Sequence, residues 1–173
     1  FVDSYFSSID SYTAASGWLA TMSYAVQIYC DFSGYSNMAI ACAGLLGYRL
    51  CTNFNAPYLS SSITEFWRRW HISLSNWLRD YLYIPLGGNR SGKLSTYRNL
   101  ILTMLIGGLW HGAAWNFVVW GGLHGVALVC HKAWSTLWNR QSFIHQIVKM
   151  WGVAITFYWV CFTWIFFRAD SFM

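Results

Sequence analysis

Three long stretches of the chain are almost free of charge. Gly17 to Tyr48 carries one charged residue, Asp31, while Leu100 to Val129 and Met150 to Phe167 carry none. The last has eighteen residues and reads as a transmembrane helix, bracketed by Lys149 and Arg168, whose long side chains can snorkel to either surface. Gly17–Tyr48 predicts one long kinked helix, or two shorter ones broken near Ser33-Gly34. Leu100–Val129 is too long for one straight span. Thirty helical residues rise roughly 45 Å against a hydrocarbon core of ~30 Å, so a break or a strong tilt is expected near Gly107–Gly112.

A fourth stretch is periodic instead of uniformly apolar. Apolar residues fall at 63, 66, 67, 70, 74, 77, 78, 81 and 82, a helical repeat. Ser62-Ile63-Thr64-Glu65 matches a capping box, which starts the helix at Ile63, and Pro85 with Gly87-Gly88 ends it. One face holds Phe66, Trp67, Trp70, Trp77 and Tyr81. A second stripe holds Thr64, Arg68, His71, Ser75 and Arg79, and Glu65 is spaced to pair with Arg69. Such a helix lies in the membrane interface or lines a cavity. Phe1–Ser16, Arg49–Ser61, Asn89–Asn99 and Lys132–Lys149 read as loops. The fold class is all-α: a polytopic membrane protein combining transmembrane helices with amphipathic or re-entrant ones.

Composition agrees. The 173 residues are 56% hydrophobic, 20% aromatic and 10% charged, well below the ~25% charge of soluble domains. The net charge of +5 does not point to nucleic acid. Six of the eleven basic residues, Arg68, Arg69, Arg79, Arg90, Lys93 and Arg98, lie between apolar spans, which reads as a cytoplasmic stretch. The cysteines at 30, 42, 51, 130 and 161 are odd in number and lack C-x-x-C spacing. They are expected to be buried free thiols, with no disulfide framework and no metal site.

Candidate chemistry centres on Gly107-Gly108-Leu109-Trp110-His111-Gly112-Ala113-Ala114-Trp115-Asn116-Phe117. An ionisable group in an apolar run is costly and reads as functional, against a structural alternative in which His111 bonds a nearby carbonyl. Asp31 is expected to be buried and paired, either capping a helix after a break or lining a polar cavity. His71 shares its stripe with two arginines; it is either solvated at the interface or part of an anion site. His124 and His131 lack a third ligand at metal spacing and read as structural. His111 and His124 stand about 220° apart on an ideal helix and could not face one site unless the helix breaks.

Together these segments resemble the membrane-bound O-acyltransferase (MBOAT) family, nearest to its bacterial alginate O-acetylation branch. The resemblance rests on Tyr29-Cys30-Asp31-Phe32-Ser33-Gly34-Tyr35-Ser36 and on Phe66-Trp67-Arg68-Arg69-Trp70-His71-Ile72-Ser73-Leu74-Ser75. It continues through Trp77–Arg90, Trp110–Phe117 and Phe166-Phe167-Arg168-Ala169. It implies that residues 1–173 are an internal fragment of a single MBOAT domain, lacking earlier helices and the C-terminal end.

The resemblance also implies acyl transfer coupled across the bacterial inner membrane, in a multi-pass protein. A thioester donor, acetyl-coenzyme A or an acyl carrier, enters as substrate from the cytoplasm, with no resident cofactor. The acceptor is a hydroxyl of an exported polysaccharide such as alginate, and a periplasmic acyltransferase is an expected partner. His111 matches the histidine essential in the family and His71 its upstream histidine position, so both are catalytic candidates. A hydroxyl nucleophile needs a base, and imidazole suits that task. The tetrahedral oxyanion needs donors, for which Asn116, Trp110 and Trp115 are candidates, with Asp31 as further polar support. Arg68 and Arg79 are candidates for the donor's phosphates. The alternatives are D-alanyl transfer to teichoic acid and a non-catalytic channel or scaffold.

Overall fold

A computed structural model describes residues 2–7, 13–137 and 144–169. Among these residues the regular structure is entirely helical: α1 (Val2–Ser7), α2 (Ala14–Leu45), α3 (Ile63–Arg69), α4 (Ile72–Leu78), α5 (Lys93–His111), α6 (Trp115–Leu137) and α7 (Ile144–Arg168). One helical segment, Lys149–Arg168, is long and apolar enough to cross a membrane. α2, α5 and α6 carry polar residues within their length, among them Gln27, Asp31 and Asn37 in α2, Arg98 and Asn99 in α5 and His124 in α6. The long α2 nevertheless turns large apolar side chains outward, including Leu19, Val26 and Met38.

Several boundaries differ from the sequence reading. Phe1–Ser16 is not all loop: α1 lies within it, and α2 begins at Ala14, capped by Thr13, whose hydroxyl accepts from the Ser16 amide at 3.3 Å. α2 runs unbroken through Ser33-Gly34, so Asp31 caps nothing. Asp31 is exposed, and no hydrogen bond or ion pair holds it among the described residues, contrary to the expectation of burial. The basic loop is shorter than expected, because α5 starts at Lys93. Likewise α6 extends to Leu137 into the expected polar loop. Four cysteines are exposed and only Cys161 is buried, so the expectation of buried thiols holds for one of them.

The expected amphipathic helix starts at Ile63 as read. Ser62 accepts from the Glu65 amide, and Glu65 reaches back to the Ser61 amide and hydroxyl, both at 2.8 Å, while pairing with Arg69 at 2.7 Å. It is not one helix, however. Trp70 is extended and His71 is left-handed, with φ 44° and ψ 54°, which separates α3 from α4. The break is stable because a neighbouring segment takes over its backbone groups. The Asn55 amide donates to the Arg69 carbonyl, the Ile72 amide donates to the Asn53 carbonyl, and the Ser73 amide donates to Asn53 Oδ1. These partners come from a loop remote in sequence, so periodicity alone could not reveal the break.

The long apolar run folds as an α5–α6 hairpin that breaks at Gly112–Ala114, at the C-terminal edge of the Gly107–Gly112 region where a break was expected. Close approach of two backbones sets its geometry. A Cβ on Gly108 would collide with the Phe117 carbonyl oxygen, and one on Gly121 with the Met104 carbonyl oxygen. Small residues are what permit helices to meet at this distance. α7 packs on both α6 and α2. The core between them is largely aromatic, with Phe66, Trp70, Trp120 and Trp164 almost wholly buried.

Candidate active site

His111 ends α5, immediately before the break. Its ring is held by aromatic edges and faces. Trp110 lies 5.0 Å away between centroids, Trp120 and Phe167 each 5.2 Å and Phe117 6.3 Å. Gly112 is needed beside it for space, since a Cβ there would fall 2.6 Å from the Phe117 ring. Neither imidazole nitrogen of His111 has a hydrogen-bond partner among the described residues. The ring is therefore fixed by packing, with its nitrogens left for a ligand.

His71 reaches the same place from the α3–α4 break. A left-handed backbone on a non-glycine residue costs of order 1–3 kcal/mol and tends to cluster at functional sites. Here it swings the imidazole off the stripe that Arg68 and Arg79 occupy. His71 Nδ1 lies 3.3 Å from Asn53 Oδ1. A carbonyl oxygen only accepts, so Nδ1 carries the proton and Nε2 keeps its lone pair. Asn53 is fixed in turn: its Oδ1 accepts from the Ser73 hydroxyl at 2.9 Å, and its Nδ2 donates to Ser36 Oγ at 3.3 Å. α3 and α4 are seven residues each, too short to cross a membrane. Burial pushes the His71 imidazole down to about 4, with nearby His111 adding to the effect.

The two histidines line one cavity of about 230 Å³. Phe32, Trp110, Trp120 and Phe167 are among its other walls, so α2, the α3–α4 break, α5, α6 and α7 all contribute. His71 and His111 are the only ionisable side chains lining it among the described residues. An apolar chamber with two imidazoles suits proton transfer to or from a bound reactant.

The other residues singled out in the sequence distribute differently. Trp110 lines the cavity. Trp115 is 76% exposed at the start of α6 and takes no part in it. Asn116 is buried, but its amide donates to the Ala169 carbonyl at 2.9 Å, tying α6 to the end of α7. Asp31 stands exposed on α2, away from the cavity walls. Arg68 and Arg79 line a second cavity of about 350 Å³ together with Thr64, Ser75 and Tyr83. Arg79 is already paired with Asp80, at 2.7 and 3.0 Å, and this bonding holds the Asp80 carboxyl below its usual range.

His124 is fully buried and structural. Trp67 donates to its Nδ1 at 3.3 Å, so Nε2 carries the proton and donates to Thr163 Oγ1 at 3.0 Å, which donates onward to the Val160 carbonyl. His131 contacts the Thr64 hydroxyl at 2.8 Å. Two residues at the cavity were not among the site candidates read from the sequence: Asn53, which anchors His71 from a loop with no motif, and Trp120, which is one of several aromatic residues in the long apolar run.

Comparison with known proteins follows the same lines. The model of the membrane-bound O-acyltransferase family matches residues 3–168. Over 92% of its length the chain is 52% identical to a probable alginate O-acetylase, AlgI, of Pseudomonas syringae pv. tomato. It is 48% identical over 99% of its length to a peptidoglycan O-acetyltransferase of Helicobacter pylori. To a teichoic acid D-alanyltransferase of Bacillus subtilis it is 31% identical over 86% of its length. The chain spans 30%, 32% and 40% of these three relatives.

Proposed function

Because the chain belongs to the membrane-bound O-acyltransferase family, we propose that the protein containing it moves an acetyl group from a thioester to a hydroxyl of an exported polysaccharide. The observation that carries this reading is the convergence of His71 and His111 on one otherwise non-ionisable cavity. In the reaction, His111 takes the proton of the acceptor hydroxyl as its oxygen attacks the thioester carbonyl. The thiolate then leaves and recovers that proton from His111. His71, with Nδ1 held by Asn53, presents Nε2 to the same chamber, where it orients the acceptor or shares the proton.

The donor is acetyl-coenzyme A or an acyl carrier. It approaches from the cytoplasmic side, where Arg68 and Arg79, on their own cavity, serve its phosphates. The intact protein is a multi-pass protein of the bacterial inner membrane and works beside a periplasmic acyltransferase partner. Acetyl transfer is favoured over D-alanyl transfer because the O-acetylating relatives are 52% and 48% identical and the D-alanyl relative 31%. Alginate-type polymers and peptidoglycan both offer the required hydroxyl.

The test is turnover by the purified intact protein, with acetyl-coenzyme A as donor and a polyuronate oligosaccharide as acceptor. Release of free thiol matched by new ester is expected. A protein that binds the donor without turnover, while a periplasmic partner alone forms the ester, would establish the scaffold reading instead.

A further inference from the structure

Of the nine side chains that wall the histidine cavity, one is exposed: Trp110, at 60%. The others are buried or partly buried, and Trp70, Trp120 and Trp164 are almost wholly so. The cavity therefore opens past the Trp110 indole. That opening has a direction. The cavity that holds Arg68 and Arg79 is walled by Leu100, Thr103 and Met104 of α5, and the histidine cavity by Trp110 and His111 of the same helix. At ~1.5 Å per residue, the histidine cavity lies roughly 10–15 Å farther from the basic start of α5. Its mouth at Trp110 thus lies away from the cavity assigned to the donor.

The Trp110 ring is held by its neighbours. The rings of His71 and His111 stand steeply across it, at 69° and 83°. A large ring already fixed in place loses little freedom when a ligand lies on it. Its face is the negative part of an aromatic quadrupole. The C–H groups on the flat side of a pyranose are apolar and slightly positive, so the two surfaces match. The same exposure makes Trp110 a poor oxyanion donor, the role the sequence offered it, because such a donor works in a desolvated site. An exposed Trp can also belong to an interfacial belt. Trp115 supplies the contrast: it is 76% exposed just past the break, yet walls neither cavity.

We propose that Trp110 is the acceptor platform: a sugar ring of the polysaccharide stacks on its indole face, which sets a hydroxyl of that sugar before His111. This rests on the acyltransfer reading of the cavity. Trp110 binds the acceptor and takes no proton, and the donor is bound without it.

The test uses the intact protein in membranes, with radiolabelled acetyl-coenzyme A as donor and a polyuronate oligosaccharide as acceptor. Initial rates of ester formation, per unit of inserted protein, give kcat and a KM for each substrate. Trp110→Leu should raise KM for the oligosaccharide roughly tenfold or more and leave KM for acetyl-coenzyme A near wild type. Trp110→Phe keeps a smaller face and should raise the oligosaccharide KM about threefold; it carries the test should Trp110→Leu fail to insert. Trp115→Leu should match wild type. An unchanged oligosaccharide KM in the Trp110 variants would overturn the inference, whether kcat is kept or lost; a lost kcat would leave Trp110 as a spacer between the imidazoles. An equal rise in Trp115→Leu would assign both residues to an interfacial belt and overturn it as well. His111→Ala, measured alongside, separates the failures. If it is inactive, the platform alone falls; if it keeps full transfer, the underlying reading of the cavity falls.

Discussion

His71 and His111 both pack edge-to-face on the ring of Trp110, with centroids 6.2 and 5.0 Å from it. One imidazole arrives from a break between two short helices and the other from the tip of a hairpin. Trp110 is thus a spacer between the two imidazoles in a cavity of about 230 Å³. Each of the elements that deliver them can be disturbed separately.

Asn53 is the first. It fixes the tautomer of His71 and accepts the Ser73 amide at the start of α4. Asn53→Ala should lower acyl transfer roughly 10- to 10²-fold through misplacement of the imidazole. It should also destabilise the protein by about 1 kcal/mol through the lost cap. Asn53→Asp keeps an acceptor and should recover part of both. Rate and Tm measured on the three proteins decide the matter; wild-type activity in Asn53→Ala would show that His71 needs no such anchor.

The glycines of the hairpin give a sharper contrast. A Cβ on Gly121 would strike the Met104 carbonyl oxygen, whereas one on neighbouring Gly122 would rest 3.6 Å from Leu105 Cδ2. Gly121→Ala should therefore force α5 and α6 apart at roughly 1–3 kcal/mol and displace His111. Gly122→Ala should be close to neutral. Yield of folded protein from membranes, compared for the two variants, reads this directly. Equal behaviour would mean that the hairpin is looser than the close backbone contact implies.

The basic stretch between Arg79 and Arg98 should face the cytoplasm. Ser91 is exposed just before α5. In a thiol-depleted background, Ser91→Cys should resist an impermeant thiol reagent added outside intact cells and react once the cells are opened. Ready labelling from outside would reverse the topology and the side of donor entry.

Much of this arrangement was legible in the residues, and the failures have physical causes. Thirty uncharged residues had to break, and the glycines told where. The capping box at Ser62 set the start of α3. The left-handed turn at His71 was hidden because its support comes from Asn53 and Asn55, whose tertiary hydrogen bonds leave no periodic trace. Asn116 looked like a free donor until the end of α7 claimed its amide. Asp31 was expected to be buried because of its apolar neighbours, but α2 turns an apolar face outward and carries Asp31 exposed with it.

The central claim is that His111 is the base and His124 is not. His124 is saturated by Trp67 and Thr163, while His111 has open nitrogens on the cavity. The most direct measurement is polysaccharide ester formed per unit of membrane-inserted protein, for His111→Ala and His124→Ala in the intact protein. His111→Ala should insert normally and lose roughly 10²-fold or more in transfer. His124→Ala should lose inserted protein, because the Trp67 indole N–H loses its acceptor and a fully buried imidazole is replaced by a void, while each surviving molecule keeps most of its rate. Near-wild-type transfer by His111→Ala, or a loss explained wholly by missing protein, would contradict the assignment.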